Sequence, residues 1–225
     1  EGENARLYKA VEAISDFACS LGINIPTGKD SMSMTQKYKD GVVYAPGTVI
    51  ISAGAEVIDL KQVVEPVLQP NFESTLLYVN LSDGEFKLGG SSFAQIVGKV
   101  GKAAPTVDDA DRFANTFNMV QALIREGKIL AGHDVSAGGL ITALLEMTFA
   151  QVDLGIAANL KEIKGIDDIA TFFSEQPALV LQVANEDLED IKTLFDDIDA
   201  LYLEIGSPIG EPILSIQTTT QSYLL

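Results

Sequence analysis

Apolar residues recur at Leu7, Val11, Ile14, Ala18 and Leu21. Steps of four and three place them on one face of a helix, and Gly22 marks its end. A polar loop, "IPTGKDSMSM", follows. The run "GTVIISAGAEVID" is dense in small and β-branched residues and predicts a buried strand. "LKQVVEPVLQPNFES" carries two prolines and no clear period. It predicts a linker over 61–73, between a first domain at 1–60 and a second at 74–225.

The second part opens on a strand, "TLLYVNLS", and "LGGSSFAQIVGKV" predicts a glycine turn entering a short helix. Thr106 is placed to cap the next helix, with Asp108 and Asp109 in its first turn. Its predicted apolar face is Ala110, Phe113, Phe117, Val120 and Ile124. "KILAG" is a short strand leading into "AGHDVSAGGL". "GGLITALLEMTFA" is apolar nearly all round, so it predicts a buried helix. "DIATFFSEQ" predicts another helix and "ALVLQVA" a strand. Asn185 caps "EDLEDIKTLFDD", and "LYLEIGSPI" and "PILSIQT" are closing strands. Helices and strands alternate irregularly, with several possible hairpins, which favours an α+β fold over a pure parallel sheet. The sequence shows no internal repeat.

Composition narrows the class. Of 225 residues, 47% are apolar and 21% charged, as in a globular chain. No apolar run approaches the roughly 18 residues of a membrane span, so a membrane partner is not expected. No signal core marks export. The start at Glu1 and the abrupt end at Leu225 suggest a piece of a longer chain. Cys19 stands alone and is expected to be a buried structural thiol, and no Cys/His cluster offers a zinc site. A lone cysteine is compatible with the cytosol. The formal charge of −17 repels nucleic-acid backbones and nucleotides alike. Phosphate binding would therefore need backbone N–H groups and divalent cations.

"TGKDS" invites comparison with a phosphate-binding P-loop, and the comparison fails. Ile23 stands where the pattern needs glycine, and Asp30 takes the metal-binding Ser/Thr position. The loop still gathers Thr27, Gly28, Lys29, Asp30, Ser31 and Ser33. Lys29 could meet a phosphate or simply pair with a carboxylate in a polar turn. In "GHDVSAGG" a strand end meets a helix start, whose N–H groups and dipole suit an anion. Gly138 and Gly139 would let a ligand approach the backbone closely. Asp134 could hold Mg²⁺, and Ser136 could donate to a phosphate. The plainer reading makes Ser136 an N-cap and Asp134 a turn residue. His133, with no nucleophile motif beside it, reads as a packing or hydrogen-bonding residue. "LGGSS" is either a phosphate contact or a plain helix start. The acids at 108, 109, 111, 187, 189, 190, 196 and 197 read as solvated. Glu175 and Gln176 precede a strand and could face a cleft, without an assigned role.

"LGINIPTGKDSMSM" and "GHDVSAGGLITALLEMTFA", in this order, resemble the phosphoribosylformylglycinamidine synthase family, in its large single-chain form, within the aminoimidazole ribonucleotide synthetase superfamily. The first motif is specific to that family and the second is shared across the superfamily. The resemblance implies the tail of an N-terminal-type synthetase domain, followed by an α/β sandwich like the C-terminal synthetase domain. It implies an ATP-dependent ligase of purine biosynthesis. Such an enzyme turns formylglycinamide ribonucleotide, glutamine and ATP into the amidine, ADP, phosphate and glutamate. Mg²⁺ and ATP or ADP are the implied cofactors. The implied partners are the remaining synthetase and glutaminase domains, in the cytoplasm, with no nucleic acid and no membrane.

By the same resemblance Asp134 is a Mg²⁺ ligand, and Ser136, Lys29, Gly138 and Gly139 belong to a nucleotide site. Gly90 and Ser91 are assigned to substrate. Family members often carry an acid where this chain has Ala137. The catalytic histidine and the other metal carboxylates belong to segments upstream of Glu1, so the isolated chain is expected to be inactive. The duplication in that family implies a second reading for the second-copy site, an auxiliary one that holds ADP and Mg²⁺ structurally, and the resemblance favours it.

Overall fold

Helix α1, Glu3–Ser20, forms on the predicted period, with Glu3 paired to Arg6 at 3.0 Å one turn on. The computed structural model describes residues 2–29, 34–45, 47–82, 85–163 and 167–225. It divides into two units, Glu1–Ile58 and Asp59–Leu225. In the first unit no described residue of α1 is buried, and Cys19 is exposed rather than a core thiol. Strands β1, Thr35–Tyr38, and β2, Gly41–Tyr44, form an antiparallel hairpin that the sequence reading did not assign. "GTVIISAGAEVID" is not a buried strand. It forms no ladder, and Ile50 and Ile58 are 83% and 96% exposed. A strand needs a neighbour for its N–H and C=O groups, and no described strand pairs with this run. Asp30, Ser31 and Ser33 of the polar loop lie outside the described residues.

The second unit is built on β3, Ser74–Asn80. Short helix α2, Ser92–Ile96, and α3, Ala110–Arg125, lead to β4, Ile129–Val135, and α4, Gly139–Thr148. Then follow β5, Gly155–Asn159, α5, Asp168–Phe173, and β6, Ala178–Ala184. Helix α6, Asn185–Asp196, and strands β7, Leu201–Ile209, β8, Leu214–Gln217, and β9, Ser222–Leu224, complete it. The sheet order is β4-β6-β3-β7-β5-β8-β9, antiparallel except for β5 beside β8.

Alternation along β3 explains the layers. Leu76 and Tyr78 enter a core with Leu140, Leu144 and Met147 of α4 and Phe172 of α5. Leu77 and Val79 enter a second core with Val120 and Leu123 of α3 and Ile191 and Phe195 of α6. The mixed sheet thus has a helical layer on each face, the α/β sandwich implied by the resemblance within the α+β class that the alternation of elements predicts.

Three local expectations are corrected. The cap of α3 is Asp109, whose carboxylate accepts from the Arg112 N–H at 2.9 Å, and not Thr106. The buried side of α3 runs through Thr116, Val120 and Leu123, leaving Phe117 44% exposed. Asn185 lies inside α6 rather than capping it, and its side-chain oxygen accepts from the Thr75 hydroxyl at 2.8 Å.

The segment expected as a linker, 61–73, packs onto the second unit. Leu68 is fully buried in the core under α4, and its N–H donates to Met147 O at 2.9 Å. Gln69 exchanges two hydrogen bonds with the buried Gln182 amide, at 2.8 and 3.0 Å. Gly132 of the edge strand β4 donates to Glu65 O at 3.1 Å. The prolines erase helical and strand periods here without preventing burial. No helix among the described residues is long and apolar enough to cross a membrane.

Candidate functional site

Strand β4 carries the "GHDV" residues along β6, with His133 opposite Val180 and Asp134 opposite Leu179. Pleating turns Val135 into the core beside α4, so Asp134 points to the other face, where it is 70% exposed. After Val135 the chain leaves the sheet, and Gly138 and Gly139 take φ of +90° and +75°. Two successive residues in the left-handed region call for glycine.

Their missing side chains also have a packing use. A Cβ on Gly139 would overlap the Phe172 carbonyl oxygen and lie 2.8 Å from Phe173 Cα. One on Gly138 would run into the Thr142 side chain. The space beside both glycines is therefore filled by protein. The Gly139 N–H donates to Ser136 O at 3.0 Å, and the Gly138 N–H donates to Glu175 Oε1 at 3.0 Å.

Ser136 is exposed and does not cap α4; the cap is Gly138, with no side-chain hydrogen bond. His133 is largely enclosed. Its Nδ1 lies 2.7 Å from Asp134 O, and its Nε2 lies 3.1 Å from Glu146 Oε2 on α4. The ring thus ties the strand end to the helix, as a hydrogen-bonding residue does. The Asp134 carboxylate lies 3.6 Å from His133 Nδ1 and otherwise faces outward. Among the described residues, no group of three His, Cys, Asp or Glu side chains could hold a metal. One outward carboxylate suits Mg²⁺ only as part of a shell completed by water and phosphate, the usual arrangement for that ion.

At the other glycine turn, Gly90 has φ of +78° and is exposed. Ser91 is buried as the cap of α2: its hydroxyl accepts from Ala94 N–H at 3.1 Å and donates to Leu88 O at 2.7 Å. The N–H groups of Gly90 and Ser91 go to Val100 O and Leu88 O. The plain helix start thus accounts for the donors of this turn. Lys29 lies in the first unit, exposed.

Glu175 is the residue that sequence reasoning left without a role. Its Oε1 accepts from Ser92 N–H at 2.7 Å as well as from Gly138 N–H, so one oxygen joins the starts of α2 and α4. Desolvation raises its pKa. The amides of Gly138 and Ser92 outweigh that and leave it below the ordinary glutamate value. The only advance signal was an acid just before a buried strand.

Residues 75–216 match the family described as AIR synthase related protein, C-terminal domain, and residues 1–56 match the FGAR-AT PurM_N-like domain. The chain is 37% identical over 228 aligned residues to an Arabidopsis thaliana protein named probable phosphoribosylformylglycinamidine synthase, chloroplastic/mitochondrial. It is 37% identical over 206 residues to the Homo sapiens phosphoribosylformylglycinamidine synthase. The alignments cover 100% and 91% of this chain but only 16% and 15% of those relatives. Among solved structures, T. maritima PurL complexed with ATP matches 96% of this chain and 34% of its own, with a TM-score of 0.63 and 13% identity. T. maritima PurL complexed with FGAR matches 96% and 36%, with a TM-score of 0.63 and 15% identity. At those identities the likeness is one of fold.

Proposed function

Since this chain belongs to the AIR synthase related family through residues 75–216, we propose that it is part of a phosphoribosylformylglycinamidine synthase. The proposed reaction converts formylglycinamide ribonucleotide, glutamine, ATP and water to the amidine, ADP, phosphate and glutamate, the water hydrolysing glutamine to glutamate and ammonia. ATP phosphorylates the substrate amide oxygen, and ammonia displaces that phosphate. The carrying observation is the β4–α4 turn, where Asp134 is 70% exposed with its carboxylate 3.6 Å from His133 Nδ1, and Ser136 is exposed without capping α4.

In this reading Asp134 supplies one oxygen ligand to Mg²⁺. The ion offsets the phosphate charge that a chain of net charge −17 would otherwise repel. Ser136 donates its hydroxyl to the nucleotide. Gly138 and Gly139 shape the turn; their own N–H groups go to Glu175 and Ser136. Gly90 is the exposed point of its turn that substrate could touch, with Ser91 holding the turn beneath it. The partners are the remaining synthetase and glutaminase domains, and the compartment is the cytoplasm.

A second reading makes the same turn an auxiliary site, where ADP and Mg²⁺ brace the fold without reacting. Asp134→Asn in the full-length synthetase separates the two. Lost turnover with weakened Mg²⁺–ADP binding but unchanged thermal stability supports catalysis. Lost ADP with lower thermal stability supports the auxiliary role. No change in either removes the site from consideration.

A further inference from the structure

The connector between α5 and β6 ties three otherwise separate segments together through consecutive side chains. The Ser174 hydroxyl donates to Lys87 O at 2.9 Å, before α2. Glu175 Oε1 accepts from Ser92 N–H at the start of α2 and from Gly138 N–H at the start of α4. The Gln176 amide donates to the Ser82 hydroxyl after β3. On the same side Phe173 stacks on Phe93 with ring centroids 4.7 Å apart, and the backbone of Phe172 and Phe173 covers Gly139.

Glu175 is the charged member of this strap, and it stands where an anion would otherwise sit at the start of α4. A phosphate on the Gly138 N–H would have to displace or repel it. The open approach to the turn is therefore from the Asp134 and Ser136 side.

The geometry points to Glu175 as a positioning residue for the nucleotide turn: it fixes Gly138, and through Gly138 the orientation of Ser136, without touching the nucleotide. This rests on the proposed nucleotide site at Asp134 and Ser136. A purely structural strap predicts lost stability alone. A positioning role predicts lost nucleotide affinity that tracks the acceptor oxygen at this position. Gln keeps such an oxygen on a side chain of the same length. Ala has none.

The test measures Mg²⁺–ADP binding by calorimetry in the full-length synthetase, well below its unfolding temperature. The variants are Glu175→Ala, Glu175→Gln, Asp134→Asn and Asp168→Ala. The last removes a carboxylate that accepts from Thr218, Thr220 and Tyr223, at a different place in the same unit. Glu175→Ala should weaken binding about tenfold or more, the usual cost of losing a group that orients a ligand's partner. Glu175→Gln should stay within about threefold of wild type by the same reasoning. Asp168→Ala should lower thermal stability and leave affinity unchanged. Amide exchange at Ser92 and Gly138 should accelerate in Glu175→Ala. If that variant does not fold, Glu175→Asp, with a shorter reach to the two amides, takes its place.

Wild-type affinity in Glu175→Ala with impaired Asp134→Asn overturns the positioning role and leaves the site standing. Equal weakening in Glu175→Ala and Asp168→Ala overturns it too, by showing a general effect of stability. Wild-type affinity in Asp134→Asn overturns the site itself and the inference with it.

Discussion

Replacing Gly139 with alanine tests the packing at the β4–α4 turn more sharply than any polar substitution. At φ of +75° the added Cβ meets the left-handed penalty, about 1–2 kcal/mol. It also drives into the Phe172 carbonyl and the Phe173 backbone, which cannot swing aside as a side-chain tip can. Overpacking of this kind costs about 1–3 kcal/mol more. The sum, about 2–5 kcal/mol, is a large share of the roughly 5–15 kcal/mol that holds a typical domain. At about 2–4 °C per kcal/mol for a chain of this size, the midpoint should fall by about 4–20 °C. Gly90→Ala is the control. Its φ of +78° carries the same backbone penalty, but nothing lies within 4 Å of the new Cβ. It should cost only about 1–2 kcal/mol. Both are measured by urea unfolding and by thermal melts followed by circular dichroism, without nucleotide. If Gly139→Ala costs no more than Gly90→Ala, the close packing on α5 is wrong. If Gly139→Ala keeps its stability but loses nucleotide, the glycine serves ligand approach after all.

Leu68→Ala should cost about 2–5 kcal/mol in the same assay, because Leu68 is fully buried. A residue in a free linker would cost almost nothing, so a change below about 0.5 kcal/mol would contradict the packing of 61–73. Asp168 should give the acid limb of the stability curve part of its slope. Desolvation raises its pKa, but hydrogen bonds from Thr220, Tyr223 and Thr218 bring it below the ordinary 3.8. A depressed carboxylate stabilises the fold above its unfolded pKa and loses that contribution as pH falls through the folded one. The gap between wild type and Asp168→Asn should therefore be full above about pH 5 and shrink below about pH 4. A constant gap would contradict the assignment. A double-mutant cycle of His133→Ala and Glu146→Ala should show coupling of about 0.5–1 kcal/mol, since Glu146 is partly exposed. Zero coupling would mean that the ring does not tie β4 to α4.

Much of the second unit could be read before the structure. The all-round apolar "GGLITALLEMTFA" became α4, buried between the sheet and α5, and "ALVLQVA" became β6 with both faces covered. The "GIAAN" strand β5 escaped notice because small residues leave no amphipathic period, although they let β7 and β8 close in on either side. The face of α3 is only partly legible: Val120 and Ile124 meet the core as expected, but Thr116 and Leu123 are buried in place of Phe117. "GTVIISAGAEVID" shows composition failing without a partner: β-branched residues favour a strand only where a neighbouring ladder exists. At the candidate site, Asp134, Ser136 and the glycines stand together in one motif, so their place at the β4–α4 turn was legible. Glu175 was not, because its role depends on two amides 83 and 37 positions away in the chain.

Asp134 is proposed to bind nucleotide through Mg²⁺. The most direct measurement is ADP affinity by calorimetry, with Mg²⁺ and with chelator, in wild-type and Asp134→Asn full-length synthetase. Mg²⁺ should strengthen wild-type binding by about tenfold or more, about 1.4 kcal/mol, and most of this gain should be lost in Asp134→Asn. A Mg²⁺ effect of equal size in both proteins would contradict it.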